Sequence, residues 1–494
     1  MIIACVDRVV QRRMHLTHSV TGCVREPLVL FLLAMYCASS YVLSAAAEES
    51  VDVASPRGDN LSGCLAGVQH QQSGHVKRAV AVAVPKAKPI SRPAVSFRDG
   101  ERIVWLGASF VERMQLNGYL EAWLTASFPD RDILFRNLGW SGDTVYGAAR
   151  ALFGKPTDGF ARLIRDVKRA RPTTLVVVYG GNEAYAGKSG VDLFSTGLES
   201  LLDALDSIKT KIVLVAPHCR ATLPPPLPDP TRYNRDLVLY RNAMAGIAER
   251  RMLAFVDLHD LMRQLPAEPV STHDGVQLTV AGYRAAAPWI ASKLGAQISG
   301  RKELRERGEF QDQSGWWVKL EQRHLTSSPV TQVSELKVNA QGVSFLARDK
   351  RLYFAGSSLS GEGSSRGEEP QRMPRLVAEL PEGAYELRLD TTIVVTARSH
   401  QEWARGVSFV HQAARQQWEA LRQAIRIKNE LYFHRYRPQN ETYLYLFRKN
   451  EQGNNAVEIP QFDGLVKERD QRIAKLRVPQ THRFELVRVV APQP

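Results

Sequence analysis

Between residues 96 and 298, five short apolar runs alternate with longer amphipathic stretches, and this alternation constrains the fold more than any other feature of the chain. The runs are Ile103–Leu106, Ile133–Phe135, Leu175–Tyr179, Ile212–Val215 and Ala254–Val256. Each is short and apolar throughout, as a strand covered on both faces must be. Between the third and fourth, Leu193 to Ile208 carries Leu198, Leu201, Leu202 and Leu205 at helical spacing, and Thr279 to Leu294 reads as a closing helix. Strands alternating with helices imply βαβ units, hence a three-layer α/β/α domain around one parallel sheet. Ligands of such sheets bind at the carboxyl ends of the strands.

At 494 residues the chain exceeds one ordinary domain. From about 299 to 494 the pattern changes. Trp316-Trp317, Val343-Ser344-Phe345 and the alternating Tyr385–Leu389 predict short strands, Gly356 to Glu369 a loop, and Val410–Asn429 and Leu465–Leu476 helices. This reads as an accessory α+β region, without internal repeats. Residues 48–95, rich in Ser, Gly, Gln, Ala, Val, Pro and Lys, read as a linker. In residues 1–47, Arg8, Arg12, Arg13 and Arg25 precede a charge-free stretch from Pro27 to Ala47 that ends in Ala45-Ala46-Ala47 before Glu48. That is the order of an export signal, which places the mature protein in the periplasm or outside the cell. The alternative is an uncleaved membrane anchor, since the stretch approaches the ~20 residues that span a bilayer.

The net charge of +14 is scattered rather than blocked, which fits a solvated basic surface, with attraction to an acidic polymer as the alternative. Neither zinc-finger spacing nor a basic-aromatic stripe points to nucleic acid. Of the five cysteines only Cys64 and Cys219 lie beyond the signal segment; no pair has metal-site spacing, and no cofactor motif is present.

Four segments follow the strand ends in order: Gly107-Ala108-Ser109-Phe110, then Asn137-Leu138-Gly139-Trp140-Ser141-Gly142-Asp143-Thr144, then Gly180-Gly181-Asn182-Glu183, then Asp274-Gly275-Val276-Gln277 before the closing helix. Each alone is weak and the second is the most specific. Together they resemble the four blocks of the SGNH/GDSL hydrolase superfamily, over about residues 100–298. The resemblance implies an SGNH-type, flavodoxin-like sheet and an ester hydrolase. Arg437–Tyr443 and Phe447–Gly453 look like the C-terminal extension of an exported bacterial subgroup of that superfamily.

Ester hydrolysis needs a nucleophile, a base and donors aimed at the oxyanion. Ser109, at a strand-to-loop junction after Gly107-Ala108, takes the nucleophile position; its other reading is a cap of the following helix. Gly142, by its backbone, and Asn182, by its side chain, would complete an oxyanion hole with the Ser109 N–H; their other readings are a tight turn and an Asx turn. Asp143 and Thr144 read as braces of that loop. Asp274 matches the family's acid, but Gln277 stands where the catalytic histidine belongs, and an amide cannot take a proton near neutral pH. His273, next to Asp274, is the first substitute base, with His218 and His434 behind it. Ala108 replaces the Asp of the family name, a supportive rather than reactive position.

Lys428 to Glu458 mixes Arg437, Glu441, Arg448 and Glu451 with Tyr432, Tyr436, Tyr443 and Phe447. It reads as an interface network, or as a segment folding over the Ser109 cleft. Two functions follow. One is a hydrolase of small acyl, chiefly acetyl, esters, with acylated extracytoplasmic polysaccharide as substrate. The other is a binding or scaffold protein that keeps the pocket without the base.

Overall fold

The structure, a computed structural model, describes residues 95–266, 270–296, 315–339, 341–352, 373–451 and 455–489, all within one compact unit, Ala87–Pro494. The export or anchor segment, the linker apart from Val95, Cys64 and the Gly356–Glu369 loop lie outside the described residues. Among the described residues no helix is long and apolar enough to cross a membrane.

Five strands form the expected sheet: β1 (Arg102–Gly107), β2 (Leu134–Gly139), β3 (Thr174–Val178), β4 (Lys211–Ala216) and β5 (Ala254–Asp257). Their order is β2-β1-β3-β4-β5, and every neighbouring pair is parallel. Helices α1 (Ser109–Asn117), α2 (Tyr119–Ser127), α3 (Pro156–Ala170), α4 (Val191–Leu205), α5 (Thr231–Arg250) and α6 (Val280–Lys293) cover it. Successive strand side chains point to opposite faces. Ile103, Trp105, Val176 and Val213 accordingly join one core with α1, α2 and α6, while Val104, Leu106, Val177 and Leu214 join the other with α3, α4 and α5.

β2 runs further than its apolar run implies, so Asn137, Leu138 and Gly139 lie within the strand. Buried Asn137 is tolerated because its Nδ2 donates to the Val111 carbonyl at 2.7 Å and its Oδ1 accepts from the Gly139 N–H at 2.8 Å.

The C-terminal region holds two further sheets. β6 (Gly315–Lys319), β7 (His324–Ser327), β10 (Arg375–Glu379) and β13 (Val407–Ser408) form a mixed sheet of order β13-β10-β6-β7. β8 (Thr331–Asn339), β9 (Gly342–Asp349), β11 (Ala384–Leu389), β12 (Thr392–Ser399) and β14 (Thr481–Val489) form an antiparallel one of order β12-β11-β14-β9-β8. They share one core, in which the rings of Trp316 and Phe484 lie 4.7 Å apart. Helix α7 (His400–Arg405) starts with a capping box made by Ser399 and Glu402.

Two helices return to the parallel-sheet layer: α8 (Gln412–Tyr436), longer than expected, and α9 (Phe462–Leu476). Trp418, Leu421, Ile425, Ile473 and Leu476 bury against Ala122 and Ala126 of α2. α8 carries Lys428, buried, whose ammonium donates to Glu121 at 2.6 Å and to the Phe135 carbonyl at 3.0 Å. Breaking such a buried pair costs about 3–5 kcal/mol, so α8 is held firmly in register on α2.

Candidate active site

Ser109 is the first residue of α1, directly after β1. The N-cap position belongs to Ala108, and no side chain caps the helix, so the Ser109 hydroxyl is not spent as a cap. It is half-buried and takes no hydrogen-bond partner among the described residues. Its place at a helix N-terminus favours negative charge developing there.

Gly142 is exposed, with φ +79°, in a turn closed by the Asp143 N–H donating to the Trp140 carbonyl at 3.0 Å. That left-handed backbone requires Gly, and it also leaves the Gly142 N–H unshielded, so the turn and the donor are one feature. The loop is tied to α1 and β1. The Ser141 N–H donates to Glu112, one turn after Ser109, and the Trp140 N–H donates to the Gly107 carbonyl at 2.9 Å.

Asn182 donates through Nδ2 to the Asp143 carbonyl at 2.7 Å, which uses one of its two amide hydrogens and fixes the side chain beside the Gly142 turn. Asp143 is fully buried and accepts from Arg150 Nε and from the Tyr179 hydroxyl, each at 2.7 Å. It braces the loop and cannot meet a substrate. Burial, reinforced by the Asp143 charge, holds the Tyr179 phenol well above its ordinary pKa, so it stays a donor. Glu183, which the sequence did not single out as a brace, accepts from the Val145 and Gly180 N–H groups, both at 2.9 Å.

The fourth segment departs from a triad. Asp274 Oδ1 accepts from the Val276 N–H at 2.8 Å, the Gln277 N–H at 2.7 Å and the Thr272 hydroxyl at 3.2 Å. Burial opposes its ionisation, but those donors hold its carboxyl below the ordinary value. Asp274 therefore closes its own turn. Gln277 is half-buried, and His273 is exposed without a hydrogen-bond partner among the described residues. His434 packs between Phe433 and Phe462 in the α8–α9 layer.

The accessory region reaches the rim. The Tyr436 hydroxyl donates to the Gly139 carbonyl at 2.8 Å. The Arg437 guanidinium lies 3.8 Å from the Trp140 ring centre and 3.4 Å from Glu112, and Glu441 pairs with Arg162. Glu451 pairs locally, with Arg448. The start of the Lys428–Glu458 segment thus buttresses the loop that carries Gly142. A separate cavity of about 770 Å³, lined by Arg102, Arg136, Arg169, Arg171, Arg435 and Lys467 among others, lies by the opposite, amino-terminal strand ends and includes none of the four segments. Among the described residues no group of His, Cys, Asp and Glu is arranged to hold a metal ion.

Residues 106–285 match the model of the GDSL-like lipase/acylhydrolase family. This segment is a GDSL-like acylhydrolase domain. No curated protein matches the sequence. A gut microbial diltiazem-metabolizing enzyme is similar in structure over 81% of this chain and 100% of its own, at 14% identity and a TM-score of 0.58. At that identity the likeness shows the fold alone, and it extends beyond the GDSL-like domain into the accessory sheets. Axe2, an acetylxylan esterase from Geobacillus stearothermophilus, aligns at 21% identity over 41% of this chain and 99% of its own, with a TM-score of 0.32. The GDSL-like domain belongs to a family of ester hydrolases, and the four segments that first pointed to it lie within its bounds.

Proposed function

We propose that the chain hydrolyses small acyl esters, acetyl esters above all, with Ser109 as nucleophile and the Ser109, Gly142 and Asn182 N–H groups as oxyanion donors. The Asn182–Asp143 bond at 2.7 Å carries this reading, because it brings the third strand end onto the turn that presents Gly142. Acetyl groups on extracytoplasmic carbohydrate are the substrate class that fits the export-type N-terminus. Each oxyanion donor is worth about 3–4 kcal/mol of barrier, so three supply much of the catalysis even where proton transfer is inefficient.

A second reading, a binding module on an esterase scaffold, is favoured by Gln277 and by an Asp274 carboxylate engaged with its own turn. A chromogenic acetyl ester separates the two when assayed with wild type, Ser109→Ala and Gln277→His. The hydrolase reading expects slow wild-type turnover, none in the first variant and faster turnover in the second. Rates equal to the buffer blank in all three support the binding module.

A further inference from the structure

The hydroxyl of Ser109 needs a base, and the residue at the family's histidine position cannot be one. The His218 imidazole lies where the rim loops meet. His218 follows β4, a strand that contributes none of the four family segments.

Three contacts fix the His218 loop at the rim. The His218 ring meets the ring of Phe110, the residue after Ser109, with centroids 5.1 Å apart and an edge-on angle of 65°. Phe110 is in turn held by Tyr283 of α6, whose ring stacks on it and whose hydroxyl donates to its carbonyl at 2.9 Å. Second, the Ala221 N–H donates to the Gly275 carbonyl at 2.8 Å, joining the loop to the Asp274–Gln277 turn. Gly275 has φ +75°, and a Cβ there would lie 2.6 Å from the Ala221 carbonyl oxygen, so the close approach requires glycine. Third, Arg220 lies 3.6 Å from the Tyr233 ring centre, and the Tyr233 hydroxyl donates to the Gly181 carbonyl at 2.7 Å, beside Asn182. The loop is therefore bonded or packed to the segments of Ser109, Asn182 and Gln277.

The ring is also in the form a base requires. His218 Nδ1 lies 2.9 Å from the Cys219 carbonyl oxygen, which only accepts. Nδ1 thus carries the proton and Nε2 the lone pair. The charged and titratable neighbours are Arg220 on its own loop and His259 after β5, while α1 faces it with Phe110. Burial lowers the imidazole pKa below its ordinary 6.5, and Arg220 and His259 add to this against the Cys219 bond.

We propose that His218 is the general base of the Ser109 reaction, supplied from the end of β4 in place of Gln277. The inference rests on the esterase reading above. In the first step Ser109 Oγ bonds to the ester carbonyl carbon and its proton passes to His218 Nε2. The tetrahedral intermediate collapses, the carbon–alkoxy bond breaks, and His218 returns the proton to the departing alkoxide. Water then attacks the acyl-serine, giving one proton to His218. As the acyl carbon–Oγ bond breaks, that proton goes to Ser109 and the carboxylic acid leaves.

The test is the pH–rate profile of acetyl-ester hydrolysis by the full chain, for wild type, His218→Gln, His273→Ala and Ser109→Ala. A general base contributes roughly 10²–10⁴-fold, so His218→Gln is expected to lose about 100-fold or more in kcat and to lose the acid limb expected of wild type below pH 6.5. The wild-type protein gives a second readout that does not depend on a variant folding: the His218 ring signals in a nuclear magnetic resonance titration should move at the pH of the kinetic limb. Ser109-dependent turnover that survives His218→Gln with its limb intact overturns the assignment and leaves the esterase reading standing. Loss of the limb in His273→Ala instead, or a mismatch between the two titrations, overturns it as well. Absence of any Ser109-dependent turnover overturns both.

Discussion

Asn182 Nδ2 sits 2.7 Å from the Asp143 carbonyl oxygen, so the end of β3 and the loop after β2 are joined by a single side-chain hydrogen bond next to Gly142. The same amide has a second hydrogen for a substrate oxyanion. Asn182→Ala removes both, and kcat for an acetyl ester should fall about 10²–10³-fold with KM changed only a few-fold. Steady-state kinetics check the split. A fall in KM-dependent rate alone would place Asn182 in ground-state binding.

Asp274 gives a prediction that separates this protein from an ordinary triad. Where an Asp orients the catalytic imidazole, replacement by Asn costs about 10⁴-fold. Here Asp274 Oδ1 accepts three local bonds that an Asn carbonyl oxygen can also accept. Asp274→Asn should therefore cost less than about tenfold in kcat. The sign of its pH effect is fixed too. Burial opposes ionisation, but the Gln277 and Val276 N–H groups and the Thr272 hydroxyl win, so the folded pKa lies below the unfolded one. Its stabilisation is present above the ordinary carboxylate pKa of 3.8 and is lost as the pH falls through the folded value. Urea unfolding midpoints between pH 5 and pH 3 should fall less steeply in Asp274→Asn than in wild type.

A second pH effect resides in the accessory region. His411 caps α8 by accepting the Ala414 N–H on Nδ1 at 3.1 Å, which requires an unprotonated nitrogen. Burial, with His482 adding like charge, lowers its pKa from 6.5 to about 4. Between those values the unfolded chain holds the proton more tightly, so stability rises with pH there and is lost as the pH falls from 6.5 towards 4. That difference corresponds to about 3 kcal/mol. His411→Asn keeps an N-cap acceptor and should flatten the dependence in urea titrations at pH 7 and pH 5. An unchanged slope would assign it elsewhere.

The sheet is legible in the sequence because strands buried on both faces must be largely apolar, as Leu175–Val178 is throughout. β2 is read short because Arg136 and Asn137 interrupt its run, and their partners, Asp470 and Val111, are remote. The burial of Lys428 in α8 is equally hidden, since its partner Glu121 lies 307 residues earlier. In the accessory region individual strands show their alternation, but β14, the last in sequence, pairs between β11 and β9, and no local pattern states that. At the site, Ser109, Gly142 and Asn182 are legible from their positions at strand ends. The place of His218 is not, because nothing near it in the chain reveals that its ring meets Phe110.

The most direct test of the central claim is covalent capture of the nucleophile. The full chain is treated with an alkyl fluorophosphonate at pH 8 and the adduct is located by peptide mass spectrometry. The account predicts one phosphonyl group on Ser109 in wild type, none in Ser109→Ala and slower labelling in Asn182→Ala. An unlabelled wild-type protein, or an adduct on another residue that persists in Ser109→Ala, would contradict it.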